Sequence, residues 1–119
     1  MSNTPSPLAA LQDPTLLKTQ ALINGKWVDG PQRFAVTDPA TGALLAEVPN
    51  LGAEHTESAI AAADAAWPAW RAMSAKARAN ILMKWFHLLN QHAADLARIM
   101  TAEQGKPLAE AKGEVLYGA

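Results

Sequence analysis

The stretch 79–107 most constrains the fold of this 119-residue chain, because its apolar side chains recur at the spacing of one long helix. At about 100° per residue, eight of them fall within a single arc of the helix surface, about 120° wide. They are Ile81, Leu82, Trp85, Leu88, Leu89, Leu96, Ile99 and Met100. The pattern predicts an amphipathic helix that faces a core, with Ser74 as N-cap and Gly105 just beyond the C-terminal end.

Four short strands are predicted upstream of that helix. Asn24-Gly25 favours a type I′ hairpin turn, because both residues tolerate positive φ angles. Asp38-Pro39-Ala40-Thr41-Gly42 is typical of a second turn. The predicted strands span 21–23, 26–28, 34–37 and 44–48.

Two further helices are predicted around the long one. An alanine-rich helix over 53–66 is expected to stop at Trp67-Pro68, because proline clashes with the preceding turn. Another helix begins at Leu108 and is still apolar at Ala119, where no stop signal follows. We therefore expect that the chain is cut in the middle of this helix.

Residues 1–20 are predicted to form a flexible arm, and 21–119 a structured unit. Three prolines lie among small and polar residues in 1–14. The leucines of this arm leave two alternatives open, a short helical turn that docks on the rest of the chain, or disorder. These leucines are Leu8, Leu11, Leu16 and Leu17.

Composition argues against several classes of function. The net charge of −1 gives no basic excess for a nucleic acid or an anionic membrane. No apolar run reaches the roughly 18 residues of a membrane span, and the N-terminus lacks the pattern of a signal peptide. We therefore expect a cytoplasmic protein without a nucleic-acid or membrane partner. The absence of cysteine removes disulfides, thiolate metal ligands and a cysteine nucleophile from these residues.

No catalytic constellation is visible in the sequence. His87 and His92 are separated by about 140° on a helix, so they cannot face one metal ion, and His92 is interpreted as a core histidine. Gly105-Lys106 lacks the upstream glycine and the following hydroxyl of a phosphate-binding loop. Glu103 falls in the middle of the apolar arc if the helix is straight, so its carboxylate needs a partner. Backbone N–H groups, a cation that prefers oxygen ligands, and a catalytic role remain alternatives.

Four short segments of the sequence are weak signals one by one. Their order and spacing together are specific for one protein superfamily. They are Ala21-Leu22-Ile23-Asn24-Gly25-Lys26-Trp27, Asp38-Pro39-Ala40-Thr41-Gly42, Pro68-Ala69-Trp70-Arg71, and Glu103-Gln104-Gly105-Lys106-Pro107-Leu108-Ala109-Glu110-Ala111 with Gly113-Glu114. In order and spacing they resemble the N-terminal part of the aldehyde dehydrogenase superfamily. The stretch 96–114 is most similar to bacterial succinate-semialdehyde dehydrogenases that prefer NADP.

The resemblance implies an α/β fold, in which strand hairpins are followed by three helices of the cofactor-binding domain. It implies a homo-oligomeric enzyme, tetramer or dimer, that uses NADP or NAD to oxidise an aldehyde, here succinate semialdehyde to succinate. The family's catalytic cysteine, its general-base glutamate and its main cofactor-binding segments lie beyond Ala119, so these residues alone are expected to be inactive. The alternative is a self-contained helical interaction module.

The resemblance also implies a structural monovalent cation. Several family members hold one with a backbone carbonyl just before the Asp-Pro turn and an acid just before Gly-Lys-Pro. The matching positions are Val36 and Glu103, and a third ligand would lie outside these residues.

Overall fold

The computed structural model describes residues 5–119, in which two short antiparallel hairpins precede a series of helices. Strand β1 (Ala21–Ile23) pairs with β2 (Lys26–Val28), and β3 (Arg33–Thr37) pairs with β4 (Leu44–Pro49). The predicted strands and the α/β fold class are thus confirmed.

Local backbone geometry explains both hairpins. Asn24 and Gly25 have φ angles of 51° and 73°, as the predicted type I′ turn requires, and Ile23 pairs with Lys26 across it. In the second hairpin the register shifts between Val36 and Thr37, which is a β-bulge. A bulge increases the local twist of the strands just before the Asp-Pro turn.

Four helices follow the hairpins. They are α1 (Ala53–Ala72), α2 (Ala75–Gln91), α3 (Ala93–Gln104) and α4 (Leu108–Gly118). Ser74 caps α2 as predicted, since its hydroxyl accepts a hydrogen bond from the Ala77 N–H at 3.1 Å. None of the described helices has the length and hydropathy needed to cross a membrane.

The predicted end of the first helix at Trp67-Pro68 is wrong. Helix α1 continues through Pro68 and ends only at Ala72. Proline removes one hydrogen bond of the helix, that to the Asp64 carbonyl. The residues around it are mostly alanine, the strongest helix former, and their propensity is sufficient to carry the helix past this gap.

The predicted long helix over 79–107 is also wrong, because it divides into α2 and α3 at His92. His92 leaves the helical region at φ −101°, ψ 12°. Just before the break, the Asn90 side-chain amide donates to the Phe86 carbonyl at 2.9 Å. Such a side-chain bond competes with the helix's own ladder at that carbonyl. Residues 5–119 therefore contain four α-helices in place of the predicted three.

This break splits the predicted apolar stripe into two halves with different surroundings. The half on α2 is exposed, from 45% for Ile81 to 62% for Trp85, and α2 has no buried residue. The other half is partly buried and faces α4. It consists of Leu96, Ile99 and Met100 of α3, together with Leu89 near the end of α2, which is the one stripe residue on α2 that is not exposed. The stripe of α2 therefore has no core to face among residues 5–119.

The buried core is small and is built mostly of alanine. Its apolar members are Leu11, Ala93, Ala97, Ala102, Ala111 and Val115. The radius of gyration is 17.2 Å, against about 13.5 Å for a globular domain of this length. The accessible surface is 8698 Å², against about 6,200 Å² for a folded monomer of this mass. Much apolar surface is thus left uncovered.

The predicted arm has regular structure in its described part. Pro7–Ala10 and Pro14–Leu16 form short 3₁₀ helices, so the helical turn is the alternative that the structure shows for the leucines. Leu11 between them is buried. The start of the arm, residues 1–4, lies outside the described residues, and the division of the chain at residue 20 stays a prediction.

Candidate functional site

The second hairpin contacts the helices at the corner where α3 turns into α4. Gly105 adopts φ 88° and its N–H donates to the Thr101 carbonyl at 2.9 Å, which confirms it as the residue that ends the helix. A Cβ atom at Gly105 would lie 2.9 Å from Pro39 Cγ. The Asp38-Pro39 turn therefore packs directly against this glycine.

The turn that carries Pro39 is held rigid by its own hydrogen bonds. The Gly42 N–H donates to the Asp38 carbonyl at 2.7 Å, and the Ala40 N–H donates to the Asp38 side chain at 2.8 Å. The second bond forms an Asx turn, which fixes the backbone without help from neighbouring strands. The Asp38-Pro39 turn therefore has a backbone fixed by its own bonds where it packs against the corner between α3 and α4.

Lys106 joins the corner to α4. Its N–H donates to Gln104 Oε1 at 2.9 Å, and its ammonium group forms an ion pair with Glu114 on α4. Glu114 lies eight residues further along the chain, so the pair bridges the junction between the helices. Lys106 thus has an acidic partner on α4.

An apolar groove of about 420 Å³ lies between α3 and α4, and Glu103 is on its wall. The predicted arc is confirmed here to the extent that Glu103 shares this groove with Leu96, Ile99 and Met100. The carboxylate is nevertheless exposed to water. The argument that burial forces a partner on it therefore does not apply within these residues.

Val36 and Glu103 lie in adjoining segments. Val36 is half-buried on β3, beside the bulge and two residues before Asp38. Glu103 is two residues before Gly105, which contacts Pro39. No group of three His, Cys, Asp or Glu side chains that could hold a metal ion occurs within 5–119. A cation on Val36 and Glu103 stays a prediction.

Within residues 5–119, His87 and His92 are not brought together with other candidate site residues. The ring of His87 meets Phe86 edge-on, with centroids 5.3 Å apart. His92 is half-buried at the break between α2 and α3, so its assignment to a core is wrong.

Two polar networks were not predicted from the sequence. The Arg33 guanidinium donates to both carboxylate oxygens of Asp29 at 2.5 and 2.6 Å, and to the carbonyls of Thr19 and Glu47 at 3.1 and 2.6 Å. The Gly30 N–H, together with Arg33, holds the pKa of Asp29 below its usual value. In the sequence, only the i,i+4 spacing of Asp29 and Arg33 could have indicated this ion pair.

The second network centres on Asp95, a residue that does not belong to the apolar arc of the predicted helix. It is 4% exposed and accepts hydrogen bonds from the N–H groups of Gln12 and Asp13. These partners are more than 80 residues away in the sequence, at separations of 83 and 82. No local pattern signals such a contact.

Comparison with known proteins shows to which family this chain is similar and which characterised proteins resemble it. The model of the aldehyde dehydrogenase family matches residues 27–119. The NADP(+) succinate-semialdehyde dehydrogenase of Escherichia coli (strain K12) is 57% identical over 111 residues, 92% of this chain. Glutarate-semialdehyde dehydrogenase of Pseudomonas aeruginosa is 54% identical over the same number of residues. The chain spans 23% of the length of each of these two relatives.

The fold is also similar to solved structures. A crystal structure of a succinate-semialdehyde dehydrogenase from Burkholderia pseudomallei superposes with a TM-score of 0.87 and 53% identity. The match covers 91% of this chain and 23% of that one. The hairpins, the corner and the helices are therefore arranged as in the corresponding part of that structure.

The contact at the corner predicts opposite effects of alanine at two glycines. Gly105→Ala should lower the free energy of unfolding by about 1–2 kcal/mol for the left-handed backbone, and further because of the close Pro39 side chain. Gly113→Ala, in α4 with nothing within 4 Å of the new methyl group, should raise it by about 0.5–1 kcal/mol. Urea unfolding followed by far-UV circular dichroism compares the two. Equal effects would contradict the left-handed backbone at Gly105, and a loss at Gly105 no larger than about 1–2 kcal/mol would contradict the packing of Pro39 on it.

Proposed function

Since this chain belongs to the aldehyde dehydrogenase family, we propose that it forms the first part of an NAD(P)-dependent enzyme that oxidises succinate semialdehyde to succinate. The observation that carries the proposal is the 57% identity to the Escherichia coli succinate-semialdehyde dehydrogenase over almost the whole chain. Such a reaction would need a cysteine thiolate outside these residues to attack the aldehyde carbon, NADP or NAD to accept the hydride, and water to hydrolyse the thioester.

The role that fits these residues is that of a scaffold. They contain no cysteine to attack an aldehyde and no G-x-G-x-x-G segment to hold a pyrophosphate. What they offer instead is the rigid corner at Gly105 and several apolar surfaces. We assign 21–119 to the beginning of the cofactor-binding domain, where its helices support the segments that bind NADP or NAD.

The proposed substrate, succinate semialdehyde, is more specific than the family assignment, which names only aldehydes. Relatives named for succinate semialdehyde and for glutarate semialdehyde are 57% and 54% identical to this chain. Both names denote an aldehyde that also carries a carboxylate, so the proposal includes a substrate of this class. We propose the shorter of the two because its enzyme is the more similar one in this pair.

The exposed apolar side chains favour contact with further polypeptide. Trp67, Leu82, Trp85 and Leu88 are each at least 50% exposed, and the last three share one face of α2. Such a surface suits the other parts of a larger enzyme. We extend the proposal to a homo-oligomer, dimer or tetramer, that works in the cytoplasm on a small aldehyde.

The cation site belongs to the same proposal. The Val36 carbonyl and the Glu103 carboxylate would supply two of its oxygen ligands, which suit a hard monovalent cation. The exposure of Glu103 leaves its oxygens free to bind an ion, and the contact of Pro39 with Gly105 keeps the two segments together.

The proposed activity is tested on the product of the open reading frame that contains these residues, expressed from its own gene. The purified product should reduce NADP⁺ or NAD⁺ with succinate semialdehyde, and iodoacetamide should abolish this by alkylating the nucleophilic thiolate. The 119-residue chain is the control and should reduce neither cofactor, because it has no cysteine.

The outcomes separate the two levels of the proposal. A folded product that reduces no cofactor with any aldehyde, or one that contains no cysteine, contradicts the activity. A product that prefers glutarate semialdehyde leaves the aldehyde dehydrogenase activity in place and overturns only the substrate.

The cation is tested by unfolding the product of the same open reading frame, which would include the third ligand, with urea in sodium, potassium or choline chloride at equal ionic strength. A bound ion should raise the free energy of unfolding by about 1 kcal/mol when its concentration is roughly five times the Kd. Glu103→Gln should remove the difference from choline, and Glu110→Gln, which changes an exposed acid on α4, should keep it. Identical midpoints in the three salts would contradict a site on these residues.

A further inference from the structure

A buried carboxylate ties the N-terminal arm to the helices. Asp95 lies in the first turn of α3 and is 4% exposed. Its Oδ1 accepts from the Gln12 N–H at 3.0 Å, and its Oδ2 accepts from the Asp13 N–H at 2.9 Å. Both oxygens of one carboxylate thus hold two successive N–H groups of the arm. Hydrogen bonds to an ionised group are stronger than those between neutral groups.

The arm also packs against α3 next to the hydrogen bonds of Asp95. Leu11, directly before Gln12, is buried. The 3₁₀ helix Pro7–Ala10 contacts α3, and its Pro7 and Ala10 form one wall of a cavity of about 410 Å³. Arg98 and Thr101 of α3 line the same cavity. Departure of the arm would open this cavity and expose the alanine face of α3.

We propose that Asp95 is a latch that holds residues 5–17 over α3, and that loss of its charge releases the arm as one unit. A neutral carboxyl or amide group at this position offers a weaker acceptor and places a donor against one of the two N–H groups. The exposed hydrogen bonds of the arm, within its short 3₁₀ helices, are too few to hold it in place alone.

The electrostatic surroundings support the charged form of the latch. Hydrogen bonds from the Gln12 and Asp13 N–H groups hold the pKa of Asp95 below its usual 3.8, with burial opposing them and Arg98 assisting. Arg98 approaches Oδ1 at 3.3 Å. On the arm, the side chain and N–H of Thr15 lower the pKa of Asp13, with a smaller contribution from His92.

The direction of the pH dependence follows from the lowered pKa. Because the folded state binds the Asp95 proton more weakly than the unfolded state does, the latch contributes its full stabilisation above pH 3.8. The contribution is lost as the pH falls through the lowered value. The arm should therefore separate from α3 in acid and stay closed at neutral pH.

The test follows the arm by NMR and hydrogen exchange in the 119-residue chain. During an acid titration, the amide protons of Gln12 and Asp13 should shift with the same midpoint as the Asp95 carboxyl carbon, below 3.8. At neutral pH, Asp95→Asn should speed amide exchange in 8–17 by about tenfold or more. Trypsin should then cleave after the exposed Lys18 faster. Asp64→Asn, at an exposed acid on α1, is the matched control and should change neither.

Two results would overturn the latch. One is an Asp95→Asn chain with native helix content whose arm exchanges at the wild-type rate. The other is a wild-type titration in which the Gln12 and Asp13 amides follow the carboxyl of Asp13 or do not move. Because the titration uses the unmodified chain, it decides the matter even if the variant does not fold.

Discussion

The close approach of backbone segments at the alanine face of α3 is the interaction on which the rest of the structure depends. Ala97 is 1% exposed and Ala111, on α4, is 0% exposed. Small side chains let the arm, the Asp-Pro turn and α4 come near α3, where Asp95 and Gly105 then fix them in place. This arrangement buries little apolar volume, so the large apolar side chains of α1 and α2 stay outside the core. Those side chains are the surfaces through which we propose that the chain serves a larger enzyme.

Local chemistry made the hairpins and some of the helix ends predictable. The positive φ angles at Asn24 and Gly25, the Ser74 cap and the left-handed Gly105 each follow from the residues present at that point of the chain. The family resemblance rested on the same kind of short segments, and the match over 27–119 confirms it. These features depend only on neighbouring residues, so they can be predicted from a single sequence.

The rest was determined by competing local preferences and by distant contacts, and the single-residue signals did not show which would prevail. The stripe of α2 and α3 is periodic across His92, so the periodicity predicted one helix where packing and the Asn90 side chain produce two. Pro68 is an ordinary stop signal that the surrounding alanines override. Asp95 does not belong to the apolar arc, yet it is buried by an arm 82 residues away. At the candidate cation site, Val36 and Glu103 come from the resemblance, and the exposure of Glu103 was not foreseen.

The central claim is that the apolar face of α2 is made to contact further polypeptide, and the association state of the 119-residue chain tests it most directly. Light scattering after size-exclusion chromatography should show association that rises with concentration, together with binding of a hydrophobic dye. Replacing both Leu82 and Trp85 with serine should reduce both signals, since these side chains are 51% and 62% exposed. A monomer at every concentration that binds no dye and unfolds in one sharp transition would contradict the claim and favour a self-contained module.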